Sequence, residues 1–164
     1  MPATGEIGER PEARDDLVDA VLGASRALVA VAARSLAGLA EDVTLAQYRA
    51  LVELAARGPQ RPADLASALG VDRSTATRMC DRLVRKGVVQ RRRISTDRRG
   101  VRISLTPAGR ALVGEVTRRR RVEIAQILRR MPRADRDSAL LALRVFADAA
   151  GEVSEQDWSL GWGQ

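Results

Sequence analysis

Apolar residues recur at steps of three and four through LVDAVLGASRALVAVAARSLAGL, which places Leu17, Val21, Ala24, Leu28, Val31, Ala32 and Leu36 on one side of a helix. That helix is expected from Leu17 to about Leu39. Its apolar face is wider than a lone surface helix needs, so it is either central or shared with a second subunit. A second helix starts at Thr44, whose hydroxyl suits the N-cap; Gln47 completes a capping box and Val43 can staple onto Tyr48. It runs through Leu51 and Leu54 to Gly58. Pro62 then opens the short helix PADLASAL, which Gly70 ends, and Asp72 caps a further helix, RSTATRMCDRLVRK, which stops at Gly87.

Beyond Gly87 the period changes from helical to alternating. VVQRRRI and GVRISL are β-branched runs on either side of the turn-rich STDRRG, the pattern of a two-stranded hairpin with an exposed tip. Thr106 and Pro107 form an N-cap and first-turn pair for a long helix to about Arg130, Pro132 breaks it, and RADRDSALLALRVFADAAGEV supplies a last amphipathic helix. Residues 1–12 lack periodicity and read as a flexible tail; 151–164 form a C-terminal tail in which Trp158 and Trp162 either pack onto the body or hang free. The fold expected is mainly α, about six helices with a small β-hairpin.

With 164 residues and 45% apolar content, one domain with a sizeable core is expected, spanning residues 13–150; aromatic residues make up only 2%, so Leu, Val and Ala must fill the core. The formal net charge is +7 and the sequence pI about 11.1, which points to a polyanionic partner. Lys86 is the only lysine, so the charge is carried by Arg, whose planar fork suits phosphates and guanine edges. GC-rich coding also enriches Arg and Ala, but it does not explain where the charges gather. The single cysteine, Cys80, excludes an internal disulfide and a multi-cysteine metal site. The N-terminus carries no stretch of signal-peptide character and no run reaches membrane-spanning length, so a cytoplasmic protein without membrane contact is expected.

Helix, tight turn, helix and hairpin is the order of a winged helix-turn-helix, which requires a second helix with a polar, positive outer face for the major groove. Ala76, Met79, Cys80 and Leu83 can pack inward, leaving Ser74, Thr75, Arg78 and Arg82 outward, with Arg73 and Thr77 beside the first turn. Arg78 is the first choice for a base-edge contact. Between Arg73 and Arg102 the basic residues are Arg73, Arg78, Arg82, Arg85, Lys86, Arg91, Arg92, Arg93, Arg98, Arg99 and Arg102, against Asp81 and Asp97 alone. This stretch holds more excess positive charge than the whole chain, a localised footprint of the kind phosphate neutralisation requires. In the hairpin, Arg91, Arg93, Arg98 and Arg99 are the candidate DNA contacts, and Asp97 is expected to hold an arginine in place.

The stretch STATRMCDRLVRKGVVQRRRISTDRRGVRISLTPAGR resembles the core of the MarR (multiple antibiotic resistance regulator) family. The recognition-helix pattern T-R-x-x-x-x-L-x-x-x-G falls on Thr77, Arg78, Leu83 and Gly87, and the wing pattern D-x-R-x-x-x-x-x-L-T on Asp97, Arg99, Leu105 and Thr106. The resemblance implies an intertwined two-fold homodimer. Helices 15–39 and 107–150 would dimerise, and a DNA-binding part, 43–105, would sit on a pseudo-palindromic operator of double-stranded DNA. It also implies repression relieved by a small aromatic or anionic effector in a cleft between the two parts. For that effector the sequence offers Arg26, Tyr48 and Arg49 as candidates, with Arg34 nearby. Peroxide-sensing relatives carry a cysteine near the start of the first helix, and this chain has none there; Cys80 reads as a small buried hydrophobe, with a redox switch as the alternative. Arg118–Arg121 read as a solvated or inter-subunit salt-bridging run.

Catalysis is not expected: the chain has no His and no nucleophile-elbow, phosphate-loop or zinc spacing. Neither cofactor nor metal is expected. The serious rival is a non-specific architectural DNA-binding protein, for which the same basic hairpin would serve.

Overall fold

The computed structural model describes residues 11–39, 43–94 and 97–158, with 11–13, 94, 97–99 and 156 described by backbone alone. Six α-helices and one antiparallel hairpin follow in the expected order among these residues. They are α1 (Pro11–Leu36), α2 (Leu45–Arg57), α3 (Pro62–Leu69), α4 (Arg73–Arg85), β1 (Val89–Ile94), β2 (Asp97–Leu105), α5 (Pro107–Arg130) and α6 (Arg133–Ala149). Among the described residues the first helix already runs from Pro11, so it extends ahead of Leu17. A polar stretch thus extends the helix beyond its apolar stripe.

The caps form as the residue types dictate. Thr44 Oγ1 accepts from the Gln47 amide and Gln47 Oε1 accepts from the Thr44 amide, both at 3.2 Å, closing the capping box of α2. Gly70 adopts the left-handed conformation (φ 64°) that ends α3, and the Val71 amide turns back to Ala66 O at 3.0 Å. That tight end lets α4 start after only three residues, Gly70, Val71 and Asp72.

One hydrophobic cluster joins α2, α3, α4, the hairpin and α5 through Leu51, Leu54, Leu65, Cys80, Leu83, Ile103, Val113 and Val116. Each such leucine contributes roughly 1.5–3 kcal/mol by burial. In the hairpin, Val89 pairs with Leu105 and Arg91 with Ile103, so this face turns inward, while Arg92 opposite Arg102 and Gln90 opposite Ser104 form the outer face. Gln60 and Ile103 exchange backbone bonds of 3.0 and 2.7 Å, fixing the hairpin root to the loop before α3.

Thr106 anchors the far end. Its hydroxyl donates to Gly87 O at 2.6 Å and accepts from the Gly109 amide at 3.1 Å, so one side chain caps α5 and ties it to the end of α4. From there α5 runs out against α1. By contrast α6 buries no residue of its own, and Leu140, Leu143 and Phe146 stay more than half exposed.

The segment after α6 folds back onto the body. Arg49 donates to both carboxylate oxygens of Glu152 (3.1 and 2.5 Å), Arg57 donates to Gly151 O at 2.8 Å, and Arg121 pairs with Glu155. Trp158 packs half-buried against the core cluster, its indole N–H donating to Val153 O at 3.1 Å. Of the two readings of the tail, packing therefore holds for Trp158, and Trp162 lies outside the described residues.

Candidate nucleic-acid interface

The geometry of α4 starts from its cap. Asp72 Oδ1 accepts from the Thr75 amide at 2.9 Å and from Ser74 Oγ at 2.6 Å, while Oδ2 accepts from Thr75 Oγ1 at 2.7 Å. Thr75 Oγ1 in turn accepts from Arg78 Nη2 at 3.2 Å. Asp72, Thr75 and Arg78 thus form a relay that restrains the arginine at the outer face. Thr77 Oγ1 donates to Arg73 O at 2.8 Å. Arg73, Ser74, Thr77, Arg78 and Arg82 are exposed and Thr75 is half-buried, whereas Ala76, Cys80 and Leu83 are fully enclosed. The division into an inner apolar and an outer polar face is the one the spacing predicts.

The hydrogen bonds from Ser74 and Thr75, the Ser74 hydroxyl first, hold the Asp72 carboxyl well below the usual carboxylate range. A lowered folded-state value means that this stabilisation is present above the unfolded value near 3.9 and is lost as pH falls towards the folded one. Asp72→Asn should therefore flatten the acid limb of a thermal-melting profile below about pH 4. It should also weaken DNA binding by releasing Arg78. Parallel acid limbs for the variant and the wild-type protein would contradict this role.

In the hairpin, Arg91, Arg92 and Arg93 are exposed. Arg91 pairs with Asp81 on α4. Asp81 is thus an acid that holds a wing arginine, a role the sequence reading gave to Asp97. Asp97, Arg98 and Arg99 lie in β2 by backbone, and their side chains fall outside the described residues. Sequence reasoning missed Asp81 because its partner is on another element.

Cys80 has no exposed surface, and burial pushes its thiol up from the ordinary range. A protonated, enclosed thiol is a poor redox sensor.

The effector candidates do not converge on one open cavity. Arg26 is exposed on α1, Arg49 is engaged with Glu152, and Tyr48 is buried. Desolvation raises the Tyr48 phenol, with Thr117 and Arg120 beside it acting in the opposite sense. Ser35 Oγ and Arg120 Nε are buried without a hydrogen-bond partner among the described residues. Thr117 and Arg120 had no sequence signal, since they stand at or within the basic run of α5. The basic run is mostly satisfied within the chain: Arg118 and Arg119 share Glu115, pulling its carboxyl to about 2, and Arg121 takes Glu155. These bridges are made within one chain, and Arg118 and Arg121 remain largely exposed, in keeping with the solvated reading of the run.

Comparison with known proteins adds three kinds of likeness. A family model described as the MarR family matches residues 43–101. The multiple antibiotic resistance protein MarR of Salmonella typhimurium is 34% identical over 99 residues, covering 60% of this chain and 69% of the relative. Among solved structures, RV1404 from Mycobacterium tuberculosis is 41% identical with a TM-score of 0.80, covering 93% of this chain and 99% of that one. The C80S mutant of Escherichia coli MarR, solved with operator DNA, is 26% identical with a TM-score of 0.62 and coverages of 80% and 93%. NadR in complex with 4-hydroxyphenylacetate is 25% identical with a TM-score of 0.64 and coverages of 92% and 98%.

Proposed function

Because the chain belongs to the MarR family, we propose that it is a sequence-specific, double-stranded DNA-binding regulator of transcription that represses from a pseudo-palindromic operator. The observation that carries this reading is the exposed row Arg73, Thr77, Arg78 and Arg82 on a rigidly capped helix, beside a hairpin that adds more arginines. Helix N-terminal amides and short side chains let the backbone approach phosphate, and Arg78 is placed to read a guanine edge, a contact worth roughly 1–3 kcal/mol of discrimination. The wing contributes Arg93, with Arg98 and Arg99 at its tip.

The working unit is a homodimer. The exposed apolar residues of α1 (Leu17, Val18, Leu22), of the end of α5 (Ile127, Leu128) and of α6 (Leu140, Phe146) need a partner surface, and a second copy supplies one. Two copies set two recognition helices about 34–36 Å apart, one turn of DNA. A regulatory role rather than catalysis, and action in the cytoplasm, follow from this reading; among the described residues no helix is long and apolar enough to cross a membrane.

A small aromatic or anionic effector is the proposed release signal, as NadR is known bound to 4-hydroxyphenylacetate. Tyr48 on α2, with Thr117 and Arg120 of α5 beside it, is the preferred place for it. Selection of bound duplexes from a random pool, followed by affinity measurement at fixed salt, tests the regulator reading. A selected site should bind orders of magnitude more tightly than random DNA, and equal affinities would instead support an architectural protein.

A further inference from the structure

The outer face of the hairpin carries charge that the recognition geometry leaves unused. Arg92 stands directly opposite Arg102, and like charges at such a cross-strand pair repel. On the same cleft lie Gln90, Ser104, Arg93 and Arg110, and among the described residues no carboxylate lines it. Two of the arginines are restrained from behind, Arg102 by Pro59 O at 3.4 Å and Arg110 by Leu105 O at 3.1 Å. The inner face differs: there Arg91 is already neutralised by Asp81.

We propose that this outer face is a phosphate-binding site that takes the DNA backbone on the side of the wing away from α4. The proposal rests on the DNA-binding reading and extends its footprint. Guanidinium forks supply paired donors to an oxyanion, and the Ser104 hydroxyl and Gln90 amide add neutral donors beside them. An anion between Arg92 and Arg102 turns a repulsive pair into two attractive ones. A polymer with a phosphate at every step, lying against the same wing, presents that anion without further search.

The test compares the wild-type protein with R92Q/R102Q, which keeps polar side chains of similar reach, on a long duplex of mixed sequence across a salt series. The variant's log–log salt slope should be shallower by about one for each arginine that meets a phosphate, so about two per chain. Without DNA the variant should melt at or above the wild-type temperature, because a like-charge pair has been removed; a purely structural role for the pair would lower it. An unchanged slope, with wild-type protein binding normally, overturns the proposal while leaving the regulator reading intact. An unchanged slope together with thermal stabilisation by inorganic phosphate in the wild type alone would assign the site to a free phosphate and overturn the DNA assignment. Failure of the wild-type protein to bind duplex at all would remove the regulator reading and this proposal with it.

Discussion

Gly109→Ala should be among the most destabilising single substitutions in the chain, costing about 3 kcal/mol. A Cβ at this position would lie 2.0 Å from Val88 O, 3.0 Å from Val88 C and 3.3 Å from Leu105 Cδ2. The obstacle is mainly backbone, so no rotamer change relieves it. Val88 O also accepts the Thr106 amide at 3.1 Å, so moving it strains the junction that aims the hairpin relative to α5. Gly109 is the residue whose amide completes the Thr106 cap, and the close approach and the cap are lost together. Urea titration followed by circular dichroism reads the effect as a lower midpoint at constant slope. An unchanged midpoint would mean that α5 does not start against Val88.

Replacing two apolar residues of α6, in L143D/F146D, should give a folded monomer that has lost most of its operator affinity. Phe146 is 55% exposed and α6 adds nothing to the core cluster, so the fold of one chain loses little. In the proposed dimer, however, two carboxylates would be buried in each subunit without partners, a cost the interface cannot absorb. Binding through one half-site forfeits the effective concentration that links the second, a loss of about 10²–10⁴ in affinity. Light scattering and a duplex-binding titration on the same sample check both parts. A variant that remained dimeric would move the subunit contact away from α6.

Local signals made the order of elements legible before any coordinates. Thr44, Asp72 and Thr106 are short oxygen-bearing residues at helix starts, Gly70 ends a helix without a Cβ penalty, and the change of period after Gly87 marks the hairpin. The polar face of α4 was legible for the same reason, since helical spacing alone separates Arg78 and Arg82 from Cys80 and Leu83. What the sequence hid is what depends on contacts between elements. Asp81 holds Arg91 across ten positions, and Arg49 meets Glu152 only because the chain folds back after α6. Arg118, Arg119 and Arg121 read as available charge because Glu115 and Glu155 could not be assigned to them from spacing alone. The start of α1 was set too late because an apolar stripe marks where a helix is buried, and its first turns are polar. Thr117 and Arg120 of α5 stand beside Tyr48 of α2, and no periodicity within one helix reveals such a contact.

The central claim is that α4 reads base sequence, presented twice by a symmetric pair of chains. The most direct measurement is base-resolved binding of Arg78→Ala against every single substitution in a selected operator at constant salt. Discrimination should collapse at one base pair in each half-site, the two lying one helical turn apart, by roughly 1–3 kcal/mol, with the remaining positions unchanged. A uniform loss across all positions would contradict it, because Arg78 would then be a contact to phosphate and sequence would be read elsewhere.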